Sequence, residues 1–402
     1  MKMRKRNSIC FLLAAVVILS FLLSAIGDAG EVRGVTSDTI KIGLIADLTG
    51  PTVANALPWR NGLRNSFRYH INEQGGINGR KIKFLVEDDR YSIPLSMAAF
   101  KKLVYKDKVL FLLGPSGSGQ SVALFSQIKK EKIPTIVWSM SERMIKPTKR
   151  YIFNNVATYS DDVKIIISYI IKELKVRTPR IGIVVADNEF GKGGLYPARE
   201  MLKSCGLNMA DEEILDMGAL DATSQVLNLK RAKVDYVIVH HAISPTVALL
   251  RDARKYGLKA HIFGTMAPCD DIVIEMAREA ARGFVAVQCF ASWYDDAPGA
   301  VKLREVTLRY EPKKKTRSFY YTYGWVTPIF LAEAIRRAGR DLNGESFIEA
   351  MESIKGFDTG GLTGPLTYGV DDHKAFDHLK FFKADLDKKR FVPVTGWMKP
   401  ED

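Results

Sequence analysis

From Ile40 onward, short runs of apolar, β-branched residues alternate with longer stretches whose apolar positions recur at helical spacing. Residues 40–46 read as a strand. Residues 58–74 follow as a helix, with Leu63, Phe67 and Ile71 on one face and Gly75-Gly76 as its stop. Strands over 82–87, 109–114 and 135–138 are separated by helices near 95–105 and 120–130. A second series starts after Thr158, with a helix over 161–174, strands over 181–186, 236–240 and 262–264, and helices near 192–204 and 245–256. This alternation predicts an α/β protein with two Rossmann-like lobes, each built on a parallel sheet. After a strand at 284–289 the pattern changes to helices near 298–310, 320–338 and 345–354, a turn-rich stretch from Gly360 to Pro365, and short strands near 378–384 and 390–394. The late helices need an apolar face to cover, and the first core supplies one. The expected division is an N-terminal lobe over 30–157 completed by about 290–366, and a C-terminal lobe over 158–289 completed by about 367–402. The chain would then cross between lobes about three times.

The N-terminus departs from this pattern. Lys2, Arg4, Lys5 and Arg6 precede an apolar run from Ile9 to Ile26 and then Gly27-Asp28-Ala29, which reads as a secretory signal peptide over 1–29, cleaved after Ala29. The run would also just span a bilayer as an uncleaved anchor. No cysteine stands at the cleavage point to carry a lipid. Removal leaves roughly 370 residues, more than one core usually serves, and no later stretch approaches membrane length. The expected location is the periplasm.

Composition then excludes several classes. The formal charge of +14 is scattered, with short runs such as Lys313-Lys314-Lys315, and lacks the basic stripe with interleaved aromatics of a nucleic-acid module. Cys205, Cys269 and Cys289 form no short-spaced pair, so at most one disulfide is open to them and its pairing is undetermined. His240 and His241 are neighbours on a strand and point to opposite faces, which argues against a shared metal. No metal or cofactor is expected.

Candidate chemistry concentrates at two turns. Gly114-Pro115-Ser116-Gly117-Ser118-Gly119-Gln120-Ser121 follows an apolar strand and opens a helix, where backbone N–H groups and hydroxyls favour an anion, above all a carboxylate. The GxxxxG spacing resembles a phosphate loop, but Gln120 replaces the lysine that chemistry needs. Val122 likewise breaks a dinucleotide fingerprint. The serines sit in no nucleophile elbow, and no catalytic residue is expected. Glu87-Asp88-Asp89 would serve acid–base work or, more ordinarily, tie down a loop. A second turn, Trp138-Ser139-Met140-Ser141-Glu142, ends the next strand, so Ser118, Ser139 and Ser141 stand at adjacent carboxyl ends, where they would hold a carboxylate or cap a helix.

The ordered set Lys41-Ile42-Gly43, Leu48-Thr49-Gly50-Pro51, Gly75-Gly76-Ile77-Asn78-Gly79-Arg80, Glu87-Asp88-Asp89, Gly114 to Ser121, Ile133-Pro134 and Asp187-x-x-Phe190-Gly191 resembles the periplasmic leucine/isoleucine/valine-binding proteins of branched-chain amino acid ABC transporters. The resemblance covers residues 38–402. It implies a monomeric, two-lobed type I binding protein that closes on a ligand and delivers it to permease and ATPase subunits. It places Ser118 on the ligand carboxylate, Ser139 and Ser141 beside it, and Phe190 where relatives carry a tyrosine. Three positions depart: Met266 stands where amino-acid binders carry an acid for the ammonium, and Ala242 and Asn55 replace tyrosines. Trp138, Met140, Phe190 and Met266 would line an apolar ligand body. The expected ligand bears one carboxylate, as a hydrophobic amino acid or as an aliphatic or aromatic acid without the amine. The alternative role is a ligand sensor of the same fold; such sensors carry a downstream membrane helix or kinase, and none follows Trp397.

Overall fold

The computed structural model describes residues 32–400; the leader read over 1–29 lies outside the described residues. Strand β1 (Thr39–Ala46) buries Ile40, Ile42, Leu44 and Ile45 completely. A strand apolar on both faces belongs inside a parallel sheet with helices above and below. It pairs with β2 (Lys81–Asp88) on one side and β3 (Phe111–Leu113) on the other, and β4 (Thr135–Val137) and β5 (Ile152–Asn154) extend a parallel sheet of order β2-β1-β3-β4-β5. Helices α1 (Val53–Phe67), α2 (Ile93–Lys101) and α3 (Ser118–Glu131) make its crossovers.

The second sheet has the order β12-β11-β10-β9-β8-β6-β7. Its parallel part is β6 (Ile181–Val185), β7 (Asp211–Ile214), β8 (Tyr236–His240), β9 (His261–Gly264) and β10 (Val285–Gln288), interleaved with α4 (Tyr159–Ser168), α5 (Glu189–Ser204), α6 (Thr223–Arg231), α7 (Ile243–Lys255) and α8 (Asp271–Ala277). An antiparallel hairpin, β11 (Lys380–Asp385) and β12 (Arg390–Pro393), closes the edge beside β10. Between β10 and β11 the chain forms α9 (Pro298–Tyr310), α10 (Phe319–Ala338) and α11 (Gly344–Glu352), and α10 packs along α1. That approach depends on two glycines. A Cβ at Gly324 would stand 2.0 Å from the Trp59 carbonyl oxygen, and one at Gly62 2.3 Å from that of Tyr321. Ser66 Oγ donates to the Trp325 carbonyl at 2.6 Å between them. Two lobes of mostly parallel sheet are thus present, as the alternation predicts.

Differences from the sequence reading have local causes. The first helix starts five residues before Pro58 because buried Asp47 accepts hydrogen bonds from Gly50 N (2.5 Å), Thr52 N (2.7 Å) and Thr52 Oγ1 (2.8 Å), which fix the turn that begins it. Four elements escape the pattern: β5 is only three residues long, the edge strand β7 alternates half-buried with exposed positions, and α6 and α8 are short. Of the carboxylates at 87–89, Glu87 pairs with Lys102, and Asp88 and Asp89 tie down backbone. Asp88 Oδ1 accepts from Leu48 N and Arg90 N, and Asp89 Oδ1 accepts from Tyr91 N.

Candidate functional site

The carboxyl ends of β3 and β4 lie side by side, and each runs straight into one of the serine turns. Ser118, the first residue of α3, accepts a hydrogen bond from Ser139 Oγ at 2.9 Å. Ser139 Oγ in turn accepts from Ser141 N at 3.3 Å, and Ser118 Oγ lies 3.4 Å from the Tyr159 hydroxyl on α4 of the other lobe. All four residues are buried. A short hydroxyl chain therefore runs from one lobe to the other.

Beside it is a cavity of about 50 Å³, room for only a few waters. From the first lobe it is lined by Thr52 and Asn55 at the start of α1, by Tyr91, Ser116, Trp138 and Met140, and by Tyr320 of α10. From the second come Tyr159, Phe190, Met217, Ala242 and Ala267. Among the described residues, no Asp, Glu, Lys or Arg lines it. Asn55 Nδ2 and the Tyr320 hydroxyl both donate to the Ala267 carbonyl, at 3.2 and 2.9 Å, and close one end. Trp138 packs against Trp59 with ring centroids 4.6 Å apart.

The surroundings keep the site neutral. Burial pushes the Tyr159 phenol up to about 12 and holds His240 down to about 3. His240 is therefore an uncharged imidazole. Its Nε2 lies 3.0 Å from the Phe190 carbonyl, an acceptor, so Nε2 carries the proton, and Nδ1 at 3.0 Å accepts from the Thr265 hydroxyl. This fixes the ring on which Phe190 rests, centroids 4.3 Å apart. Tyr91 and its neighbour Arg90 adopt left-handed backbone, φ 59° and 49°, at a cost of about 1–3 kcal/mol each. The Asp88 and Asp89 carboxylates hold both residues there.

Of the eight residues singled out in the sequence, Asn55, Trp138, Phe190 and Ala242 line the cavity, and Ser118 and Ser139 sit directly behind Tyr159. Ser141 leads into the turn Glu142–Met144 and faces a surface cleft with Arg143 and Glu189, which form an ion pair between the lobes. Met266 is 1% exposed and packs inward, its Sδ accepting from Cys289 Sγ at 3.0 Å and its N–H donating to Asp162 Oδ2 at 3.0 Å. Asp270 and Asp271 open onto a different cavity. Thr52, Tyr91, Tyr159, Met217, Ala267 and Tyr320 escape sequence reasoning. Tyr320 alone carries a signal, in the aromatic run Phe319-Tyr320-Tyr321 at the start of α10.

A sequence profile described as periplasmic binding protein matches residues 39–390. The chain belongs to that family. Among similar proteins, a leucine-, isoleucine-, valine-, threonine- and alanine-binding protein of Pseudomonas aeruginosa is 25% identical over 67% of this chain and 71% of the relative. The Leu/Ile/Val-binding protein of Escherichia coli is 23% identical over 91% and 94%. A branched-chain amino acid ABC transporter structure from Thermus thermophilus with bound valine superposes with a TM-score of 0.83 at 26% identity, covering 91% of this chain and 97% of the other. A fatty acid ABC transporter substrate-binding protein from Thermomonospora curvata shares the fold at the same TM-score, with 23% identity over 92% and 95%. The family resemblance read from the ordered motifs is thus shown, and with it the type I binding fold. These relatives are solute-binding proteins of ABC transporters. No helix among the described residues is long and apolar enough to cross a membrane.

Proposed function

We propose that this periplasmic binding protein is an extracytoplasmic monomer that captures a small carboxylic acid with an apolar body, lacking an α-amine, and hands it unchanged to the permease and ATPase of an ABC importer. The observation that carries this reading is the lining of the interlobe cavity. It offers hydroxyls, one amide, aromatic rings and thioethers, and no carboxylate to meet an ammonium. An ammonium buried without a partner costs several kcal/mol in effective terms. A carboxylate would find the Ser116 and Ser118 hydroxyls and the N-terminus of α3, whose first N–H groups point toward negative charge. The relatives of known ligand include amino-acid binders, and the same fold also serves a fatty acid transporter, so the fold leaves the choice of ligand to the lining. At about 50 Å³ the cavity admits such a ligand only when the lobes part, the hinge motion by which two-lobed binding proteins work.

The test is a melting series with 4-methylpentanoate and leucine, which differ by the α-amine. A ligand at a hundred times its Kd stabilises by about 2.7 kcal/mol. The acid is expected to raise Tm and leucine to leave it unchanged; a strong leucine shift without an acid shift refutes the ligand class. Ser118→Ala is expected to weaken the acid about tenfold or more, the worth of a hydrogen bond to a charged group.

A further inference from the structure

Between β2 and α2 the chain turns through two consecutive left-handed residues, Arg90 at φ 49° and Tyr91 at φ 59°. Glycine and asparagine enter that region readily, and a bulky aromatic is poorly suited to it. The turn is nonetheless gripped from both sides. Asp88 Oδ1 accepts from Arg90 N at 3.0 Å, Asp89 Oδ1 accepts from Tyr91 N at 3.1 Å, and Asp89 Oδ2 accepts from Ser96 Oγ at 2.7 Å. On the other side Gly50 lies so close that a Cβ there would stand 2.9 Å from the Arg90 carbonyl oxygen. Backbone strain held this firmly is characteristic of ligand clamps and active sites.

The side chain that this turn presents is a phenol on the interlobe cavity. The other polar side chains lining that cavity are engaged. Ser116 Oγ accepts from Asp47 N at 3.0 Å, and Thr52 Oγ1 donates to Asp47 Oδ2 at 2.8 Å. Asn55 and Tyr320 donate to the Ala267 carbonyl, and the Tyr159 hydroxyl meets Ser118. The Tyr91 hydroxyl has no hydrogen-bond partner among the described residues, and unlike the unpartnered Trp59 indole N–H it is not sealed in the interior. Burial, with the neighbouring Tyr159, Asp47 and Asp89, pushes this phenol up, so it is a donor and not a phenolate. Tyr159 and Asp47 are also the residues that meet Ser118 and Ser116. Tyr91 therefore stands at the end of the cavity where the serines gather, at the carboxyl end of a third parallel strand.

We infer that Tyr91 is a ligand-binding residue, its phenol donating a hydrogen bond to the ligand carboxylate and held ready for it by the strained turn. The inference rests on the carboxylic-acid reading of the serine site and adds a donor from β2 to those after β3 and β4. With no cation on the cavity, O–H and N–H donors alone offset the carboxylate charge, and hydrogen bonds to an ionised group are the strong ones. A phenol is a better donor than a serine hydroxyl.

The experiment is isothermal titration of the parent protein and Tyr91→Phe with 4-methylpentanoate, with its uncharged amide 4-methylpentanamide, and with leucine. The variant keeps the ring and the turn and loses only the hydroxyl, so its melting without ligand is expected to be unchanged. Its affinity for the acid is expected to fall about tenfold, the worth of a hydrogen bond to a charged group, and its affinity for the amide far less. An undiminished affinity for the acid, or an equal loss for acid and amide, overturns the assignment while leaving the ligand class standing. If leucine binds in place of the acid, the ligand class falls, and Tyr91 is then judged on leucine, whose carboxylate should be weakened as much. If neither carboxylate binds, both readings fall.

Discussion

Two cavities share one wall, and they could hardly be lined more differently. Asn55 and Tyr320 turn toward the first, and their near neighbours Ala54, Pro58 and Tyr321 face the second. The first holds about 50 Å³, no charged side chain, and hydroxyls joined in a chain beside it; the second holds about 440 Å³ and is lined by the Asp270, Asp271, Glu275 and Glu311 carboxylates. Neighbouring positions on one helix therefore serve opposite chemistry. Helical geometry explains how, because consecutive residues are about 100° apart around the axis and so face different compartments. The lesson is that acids near a site in sequence need not belong to it: Asp270 is four residues from Met266, yet it lies across the wall.

The strongest way to break the comparison is to remove the wall. Gly324→Val would drive a side chain into the Trp59 carbonyl, and urea denaturation should show a loss of about 3 kcal/mol or more, with both cavities abolished. A stable variant would mean that α1 and α10 can move apart freely. Next, Met266→Glu tests whether the first cavity can be given an acid at the position where amino-acid binders carry one. Since Met266 packs on Cys289, the new carboxylate is expected to destabilise by about 3 kcal/mol without conferring leucine binding. Tight leucine binding by a stable variant would show that this position does reach the ligand.

The two compartments should also respond oppositely to acid. His240 stands at about 3 folded against 6.5 unfolded, so below pH 6.5 the unfolded chain binds a proton the fold refuses, and stability falls as pH falls. Asp270 stands at about 7 folded against 3.8 unfolded, so between these values the fold holds the extra proton and stability rises as pH falls. Each contributes at most about 1.4 kcal/mol per pH unit. Urea midpoints from pH 7 to 4 should therefore show Asp270→Asn losing ground progressively to the parent protein; a constant gap would contradict the assignment. The smallest effect belongs to the exposed Arg143–Glu189 pair between the lobes. Arg143→Ala should cost about 0.2–1 kcal/mol, seen as ligand release a few-fold faster.

The alternation of apolar runs and helical stretches suffices to read two α/β lobes, because strands such as β1 and β8 are buried on both faces and are made mostly of apolar residues. It fails at β7, whose edge position exposes every second residue, and at α1, whose start is set by the distant Asp47 carboxylate rather than by Pro58. Half of the singled-out residues face the first cavity because turns at strand ends are local features. Tyr159, Ala267 and Tyr320 come from three separate stretches that meet only after folding, so no local pattern marks the first two and the aromatic run at the start of α10 does not show that Tyr320 reaches this cavity. Met266 illustrates the same limit from the other side: its position in the alignment of motifs is clear, but the direction of its side chain is decided by Cys289 and Asp162.

The glycine pair at Gly62 and Gly324 also bears on the order of events during synthesis. Trp59, Leu63 and Phe67 reach their burial site only when α10 arrives, more than two hundred residues later in the chain. Closing so long a loop is slow, and the first lobe cannot finish folding as an autonomous N-terminal unit while the second is still being made. A chain stopped before Phe319 would present that apolar stripe to solvent, a target for chaperones and proteases.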